Sequence, residues 1–67
     1  MRFHIPQMTC GHCVRTLRHA MQTAFPGVPV VIDLSRRELD VDVDAAERPR
    51  LVGAIQAAGY EPVPIER

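Results

Sequence analysis

Two cysteines three residues apart carry most of the chemistry available to this chain. Cys10 and Cys13 enclose Gly11 and His12, and a segment with helical periodicity begins at about residue 12. A helix N-terminus offers unpaired amides and a partial positive charge, so we expect the pKa of at least one cysteine to be lowered. Thiolate is both the nucleophilic and the metal-binding form. The motif therefore predicts soft-metal binding or redox chemistry.

The ligand count favours Cu(I) among the metals. Two thiolates are soft ligands that suit Cu(I), whereas a structural zinc site takes four ligands. His12 is the only local supplement. Adjacent positions at a helix start diverge by about 100°, so we expect His12 to be exposed or to act around the site rather than to ligate. The pattern predicts a two-coordinate site that a partner thiolate can reach.

Three neighbouring side chains have alternative interpretations. Met8 is either a third, thioether ligand or a core residue that anchors the loop, and the gap-filling habit of methionine favours the core. Arg15 and Arg18 fall on the polar side of the first helix. They either solvate that face or steer an acidic partner, which would affect the association rate more than the affinity.

Length and composition exclude several classes of protein. The 67 residues make one domain, 1–67, with no room for a separate catalytic unit. Eight basic residues balance eight acidic ones, which argues against a nucleic-acid binder. No stretch approaches the ~20 apolar residues of a membrane span, and the N-terminus does not resemble a signal peptide. We therefore expect a cytoplasmic protein without membrane insertion, where thiols stay reduced.

Hydrophobic periodicity predicts six elements in the order βαββαβ. Apolar residues recur at spacings of three and four in the two helical segments, and alternate in the strands. The predicted ranges are strand 2–7, helix 12–25, strands 28–34 and 38–44, a helix starting at Pro49 and capped at Gly59, and strand 60–66.

Prolines predict the order of the strands. Pro62 and Pro64 are two residues apart, so both missing N–H groups lie on one side of the last strand, which must be an edge. Pro29 indicates the same for the second strand. Pro6 requires the pairing of the first strand to stop near that residue. The fold class is thus α+β, an open-faced sandwich of four antiparallel strands with two helices on one face.

The chain resembles the heavy-metal-associated domains. Residues 8–13, MTCGHC, match their MxCxxC signature, and the βαββαβ order and the closing Ala58-Gly59-Tyr60 match as well. The resemblance covers essentially the whole chain and is close to the bacterial cytosolic copper chaperones. It implies a ferredoxin-like fold, Cu(I) bound by Cys10 and Cys13, and delivery to the metal-binding domain of a copper-transporting P-type ATPase.

The same resemblance bears on two further residues, and the exposed dithiol itself bears on assembly. It implies that Tyr60 lies beside the metal site and tunes access to the thiols; the alternative is a core or rim aromatic. Gln7 departs from the family, which usually has Gly before the Met, and this affects the approach of the loop. Because two exposed dithiolates can share copper, we expect a monomer without metal and a copper-bridged dimer with it.

Three other functions fit parts of the sequence. CGHC is also the active-site sequence of disulfide isomerases, which makes a thiol–disulfide oxidoreductase the main rival. Against it, the chain is shorter than a thioredoxin fold, and Thr9 stands where that family has Trp. Mercury carriers share MxCxxC but resemble periplasmic proteins, and zinc domains often have an acidic residue at the position of Thr9. The chain could also begin a larger transporter, but it shows no linker, so we expect a free-standing chaperone.

Overall fold

A computed structural model describes residues 1–65 and shows the predicted element order. The elements are β1 Arg2–His4, α1 Gly11–Ala24, β2 Val30–Asp33, β3 Glu38–Val41, a 3-10 turn Ala45–Glu47, α2 Arg48–Ala57 and β4 Val63–Pro64. None of the helices in this part of the chain is long and apolar enough to cross a membrane.

The four strands form one antiparallel sheet in the order β2-β3-β1-β4. Phe3 on the central strand β1 pairs with Leu39 on one side and with Pro64 on the other. The edges are β2 and β4, as the prolines predict. The fold class is confirmed as the ferredoxin-like sandwich with an open sheet.

The strands are shorter than the sequence predicts. β1 ends at His4 because Pro6 enters a turn closed by the Met8 amide on the Ile5 carbonyl, 3.0 Å. The range 38–44 is wrong beyond Val41, since the amide of Val43 turns back to the carbonyl of Val41 at 2.9 Å. Alternation of side chains survives a short way past a strand, so it overestimates where pairing ends.

The core lies between the helices and one face of the sheet. Both helices contribute fully buried side chains, Leu17 and Met21 from α1 and Leu51 and Ile55 from α2. The sheet and its loops supply the others: Phe3, Ile5, Met8, Leu39 and Val41, with Phe25 nearly buried. The cysteine loop is therefore attached directly to the packed interior, which fixes the start of α1.

Candidate metal centre

The loop that carries the cysteines is mounted on two buried residues. Ile5 and Met8 close the turn between β1 and α1, and both side chains are fully buried. Met8 thus lies in the core, as its packing interpretation predicts. Thr9 and Cys10 follow at once and are exposed. The chain passes from the interior to the surface within two residues, so the first cysteine projects from a rigid base.

The two thiols face each other at the N-terminal end of α1. Cys10 is the N-cap residue with extended backbone, and its carbonyl accepts the Val14 amide at 3.2 Å. Cys13 lies in the first helical turn. The Sγ atoms are 3.4 Å apart, and both thiols are free. Cys10 is exposed and Cys13 half-buried, so the pair opens outward on the side of Cys10.

The end of α2 brings Tyr60 to the pair. Gly59 has a φ of +97°, which an L side chain rarely adopts, and forms a left-handed cap as predicted. The Gly59 amide bonds to the Gln56 carbonyl at 3.0 Å, and the Tyr60 amide to the Ile55 carbonyl at 3.2 Å. This double closure directs Tyr60 toward Cys13, close enough for each side chain to shift the pKa of the other. Tyr60 also packs against the core, and its role in tuning access to the thiols stays a prediction.

The hydroxyl of Tyr60 is the main electrostatic influence on Cys13. It donates a hydrogen bond that lowers the pKa of Cys13 to about 7, with smaller contributions from the backbone of Thr9 and the thiol of Cys10. The same bond raises the pKa of Tyr60, because the donor proton is held by the sulfur. A lowered cysteine pKa was expected, but from the helix N-terminus. The dominant cause is instead a residue far away in the sequence.

His12 does not join the two cysteines. Its side chain is exposed, and its carbonyl accepts the Thr16 hydroxyl at 2.9 Å. Within residues 1–65 no group of three or more His, Cys, Asp or Glu side chains is arranged to hold a metal ion. In this part of the chain Cys10 and Cys13 lie together as a pair of thiols, and the exclusion of His12 from the ligands stays a prediction.

Arg15 and Arg18 lie on a basic face of α1. A Cβ placed on Gly11 would be 3.9 Å from an Nη of Arg15, so this guanidinium lies beside the loop between the cysteines. In the described part of the chain neither arginine forms an ion pair. A zero net charge conceals this face. All eight acidic residues come at or after Asp33, so α1 contains none. Counting the charged residues separately in the two halves of the sequence would have revealed this basic face.

Gln7 has a role that sequence reasoning did not find. Its side-chain oxygen accepts the Glu61 amide at 3.3 Å, and its carbonyl lies 3.9 Å from the Sγ of Cys13. Gln7 therefore joins the cysteine loop to the segment that follows Tyr60. The departure from Gly marked the position, but no local signal indicated the partner, which is 54 residues away in the chain.

Solved structures of known proteins share the fold of this chain. A structure described as a gold binding protein is 34% identical, with 94% of this chain and 95% of that chain covered and a TM-score of 0.82. The copper chaperone Atx1 from Synechocystis PCC6803, in a trimeric form, is 26% identical, with 92% and 97% covered and a TM-score of 0.83. The N-terminal domain of ZntA in its Zn(II) form is 29% identical, with 91% and 84% covered and a TM-score of 0.75. No curated protein matches significantly.

A model of one protein family matches most of the chain. It is the heavy-metal-associated domain, and the match runs over residues 2–61. Together with the structural neighbours it supports heavy-metal binding and trafficking rather than catalysis. On this match, the fold and the exposed dithiol, the chain belongs to the heavy-metal-associated domain family.

Proposed function

We propose that this protein is a Cu(I) carrier that holds the ion on Cys10 and Cys13 and passes it to a partner by ligand exchange. The observation that carries the proposal is the pair of free thiols, 3.4 Å apart, at the exposed end of a helix. In this proposal Cu(I) is the transported ion, and the two cysteines bind it without catalysing a reaction.

The chemistry of the pair favours Cu(I). Metal binding requires deprotonated thiols, and the pKa of about 7 for Cys13 leaves much of it as thiolate at neutral pH. Two soft ligands satisfy Cu(I), whereas zinc prefers four. Thr9 adds no carboxylate before the first cysteine. Neighbours described with gold, copper and zinc indicate that the fold accommodates several metals, so the ligand count is the discriminating argument.

The unequal exposure of the two cysteine residues supports a stepwise handover. A partner thiolate approaches the ion on the open side of Cys10 and forms one bond to it, and a bond to this chain's sulfur then breaks. A second partner thiolate replaces the remaining bond. Each departing cysteine takes up the proton that an incoming thiol has lost, so charge balances across the exchange. The arrangement suits transfer better than storage.

The basic face of α1 indicates the charge of the partner. Arg15 lies beside the cysteine loop and Arg18 further along the helix, without an acidic residue in α1 to neutralise them. They fit an acidic docking surface, and we propose the metal-binding domain of a copper-transporting P-type ATPase. Steering of this kind raises the association rate and weakens with salt.

We propose a cytoplasmic carrier that is monomeric without metal. A reducing compartment keeps Cys10 and Cys13 as thiols. Because Cys10 is exposed, two copies can approach through their cysteine loops and share copper. A mutant of the Synechocystis protein is described in a trimeric form, which is association in a related domain. Light scattering with and without Cu(I) tests the copper-bridged association. A monomer at every ratio of copper to protein, even at high protein concentration, would rule the association out.

The test of the main proposal is an anaerobic competition titration of the reduced protein with Cu(I) and with Zn(II), each against a chromogenic chelator. We expect tight one-to-one Cu(I) binding and weak zinc binding. The control is the double variant Cys10→Ser, Cys13→Ser, which should keep its circular dichroism spectrum and lose Cu(I) binding.

The other outcomes identify the rival functions. Cu(I) binding retained by the double variant would contradict the assignment of the ligands. Zinc bound more tightly than Cu(I) would indicate a zinc carrier. If the wild type bound neither metal, the two adjacent thiols and the lowered pKa of Cys13 would favour the oxidoreductase, and the reduction potential of the pair would decide.

A further inference from the structure

Gln7 occupies a rigid position between the two segments that form the site. It is part of the turn from Ile5 to Met8, closed by a 3.0 Å backbone hydrogen bond and anchored at both ends by fully buried side chains. Pro6 fixes one more dihedral of this turn. The backbone of Gln7 therefore moves little. A group that is hydrogen-bonded to its side chain is consequently fixed relative to the core.

Its side chain holds the backbone just after Tyr60. The chain leaves the cap of α2 at Tyr60 and reaches β4 only at Val63, with Glu61 and Pro62 between. Pro62 has no N–H, so the amide of Glu61 is the single backbone donor of this connection. That donor bonds to the side-chain oxygen of Gln7 at 3.3 Å.

These contacts close a ring around the inner sulfur. The carbonyl of Gln7 lies 3.9 Å from the Sγ of Cys13, and the side-chain oxygen of Gln7 accepts the amide of Glu61 at 3.3 Å. Between these two contacts stands Tyr60, which precedes Glu61 and lies close enough to Cys13 to influence its thiol. Breaking the bond between Gln7 and Glu61 would leave the Tyr60–Glu61 segment without its direct connection to the cysteine loop, although Tyr60 would still pack against the core. Cys13 would then be more accessible to an incoming ligand.

We propose that Gln7 is a positioning residue that keeps the Tyr60–Glu61 segment against Cys13 and thereby slows release of the bound ion to an acceptor. The proposal rests on the proposed carrier function. Gln7 is not a metal ligand; it acts through Tyr60 and Glu61. A glycine at this position would have no side chain to make the connection.

The first experiment measures positioning in the reduced, metal-free protein. Gln7→Met has a similar length without the acceptor oxygen, and we expect the Glu61 amide to exchange with deuterium about three- to tenfold faster, as for loss of one hydrogen bond. Gln7→Glu keeps an acceptor oxygen and should restore protection. Gln22→Met, on the exposed face of α1, is the matched control and should leave Glu61 unchanged. Unaltered Glu61 exchange in Gln7→Met would overturn the proposal.

The second experiment measures release. Cu(I)-loaded protein is mixed with excess bathocuproine disulfonate, and the rate and the equilibrium of transfer are recorded. We expect Gln7→Met to release copper about three- to tenfold faster with an unchanged equilibrium affinity, and Gln22→Met to behave as wild type. Equal release rates in all three proteins would overturn the role in handover. If the wild type takes up no Cu(I), the proposed function fails and this role fails with it, whereas the exchange data still decide the positioning.

Discussion

The two ends of α1 are built in opposite ways. At the C-terminal end, Phe25 is nearly buried, and Arg50 donates to the Ala24 carbonyl at 2.6 Å while lying 4.8 Å from the centre of the Phe25 ring. At the N-terminal end, Cys10 is exposed and caps no amide with its side chain. One end is closed by packing and charge, and the other is left open.

The contrast separates stability from chemistry along one helix. The carbonyls at the last turn carry partial negative charge, and the guanidinium of Arg50 satisfies one of them. The amides of the first turn keep their partial positive charge for anionic sulfur. We therefore expect changes near the C-terminal end to affect folding, and changes at the N-terminal end to affect thiol reactivity and metal binding.

The largest predicted difference compares a core residue with a site residue. Met21 is fully buried on α1, so Met21→Ala should lower the free energy of unfolding by about 2–5 kcal/mol. Cys10→Ser, at the exposed end, should change it by less than about 0.5 kcal/mol. Urea denaturation of the reduced, metal-free variants measures both. Similar losses would show that the cysteine loop is part of the folding core.

A second prediction concerns the closed end itself. Arg50→Ala removes the bond to the Ala24 carbonyl and the cation–π contact with Phe25, and should cost about 1–2 kcal/mol of unfolding free energy. Arg18→Ala, an exposed arginine without an ion pair in residues 1–65, is the matched control and should cost less than about 0.5 kcal/mol. The thermal unfolding midpoints of the two variants measure this difference. Equal decreases in the two midpoints would refute the prediction.

At the open end, Tyr60→Phe should change reactivity more than stability. The hydroxyl of Tyr60 is the largest cause of the low pKa of Cys13, so its loss should raise that pKa from about 7 toward the ordinary thiol range. Ultraviolet absorbance of the thiolate against pH gives the value. Titration of the variant Cys10→Ser, which retains Tyr60, assigns the transition to Cys13. An unmoved transition in Tyr60→Phe would exclude the hydroxyl as its cause.

The smallest predicted effect is a pH dependence of stability. The native pKa of Cys13 is lowered to about 7 and lies below that of the unfolded thiol, so the native state loses its proton first. The stability of the reduced protein should therefore rise between about pH 7 and the unfolded thiol pKa, and be lost again as pH falls through about 7. The raised pKa of Tyr60 acts in the opposite direction, but at higher pH. If the stability of Tyr60→Phe rises less over the same pH range, the Tyr60 hydroxyl is the cause of this pH dependence.

Local sequence patterns were sufficient to predict the fold and the position of the two cysteines, but not the contacts that surround the cysteines. Periodicity gave the element order, and the absent N–H groups of Pro62 and Pro64 gave an edge of the sheet, because both signals lie within single segments. The position of Cys10 and Cys13 at a helix start followed from the motif in the same way.

The remaining contacts join segments that are distant in the chain. Tyr60 on Cys13, Gln7 on Glu61 and Arg50 on the Ala24 carbonyl each depend on how two elements meet in space. Composition and periodicity contain no information on such pairs. The ends of the strands were missed for a related reason, since pairing depends on the neighbouring strand and alternation does not.

The prolines of the last strand also influence how copies of the molecule meet. The amide of Ile65 points inward to the Arg2 carbonyl at 3.1 Å, so the N–H positions of Pro62 and Pro64 would point outward from the free edge of the sheet. That edge therefore offers no donors at these positions to an approaching strand, which discourages accidental cross-chain sheet growth. On the proposed carrier function, which requires encounters with other domains, this edge resists aggregation while the end that carries the thiols stays available for contact.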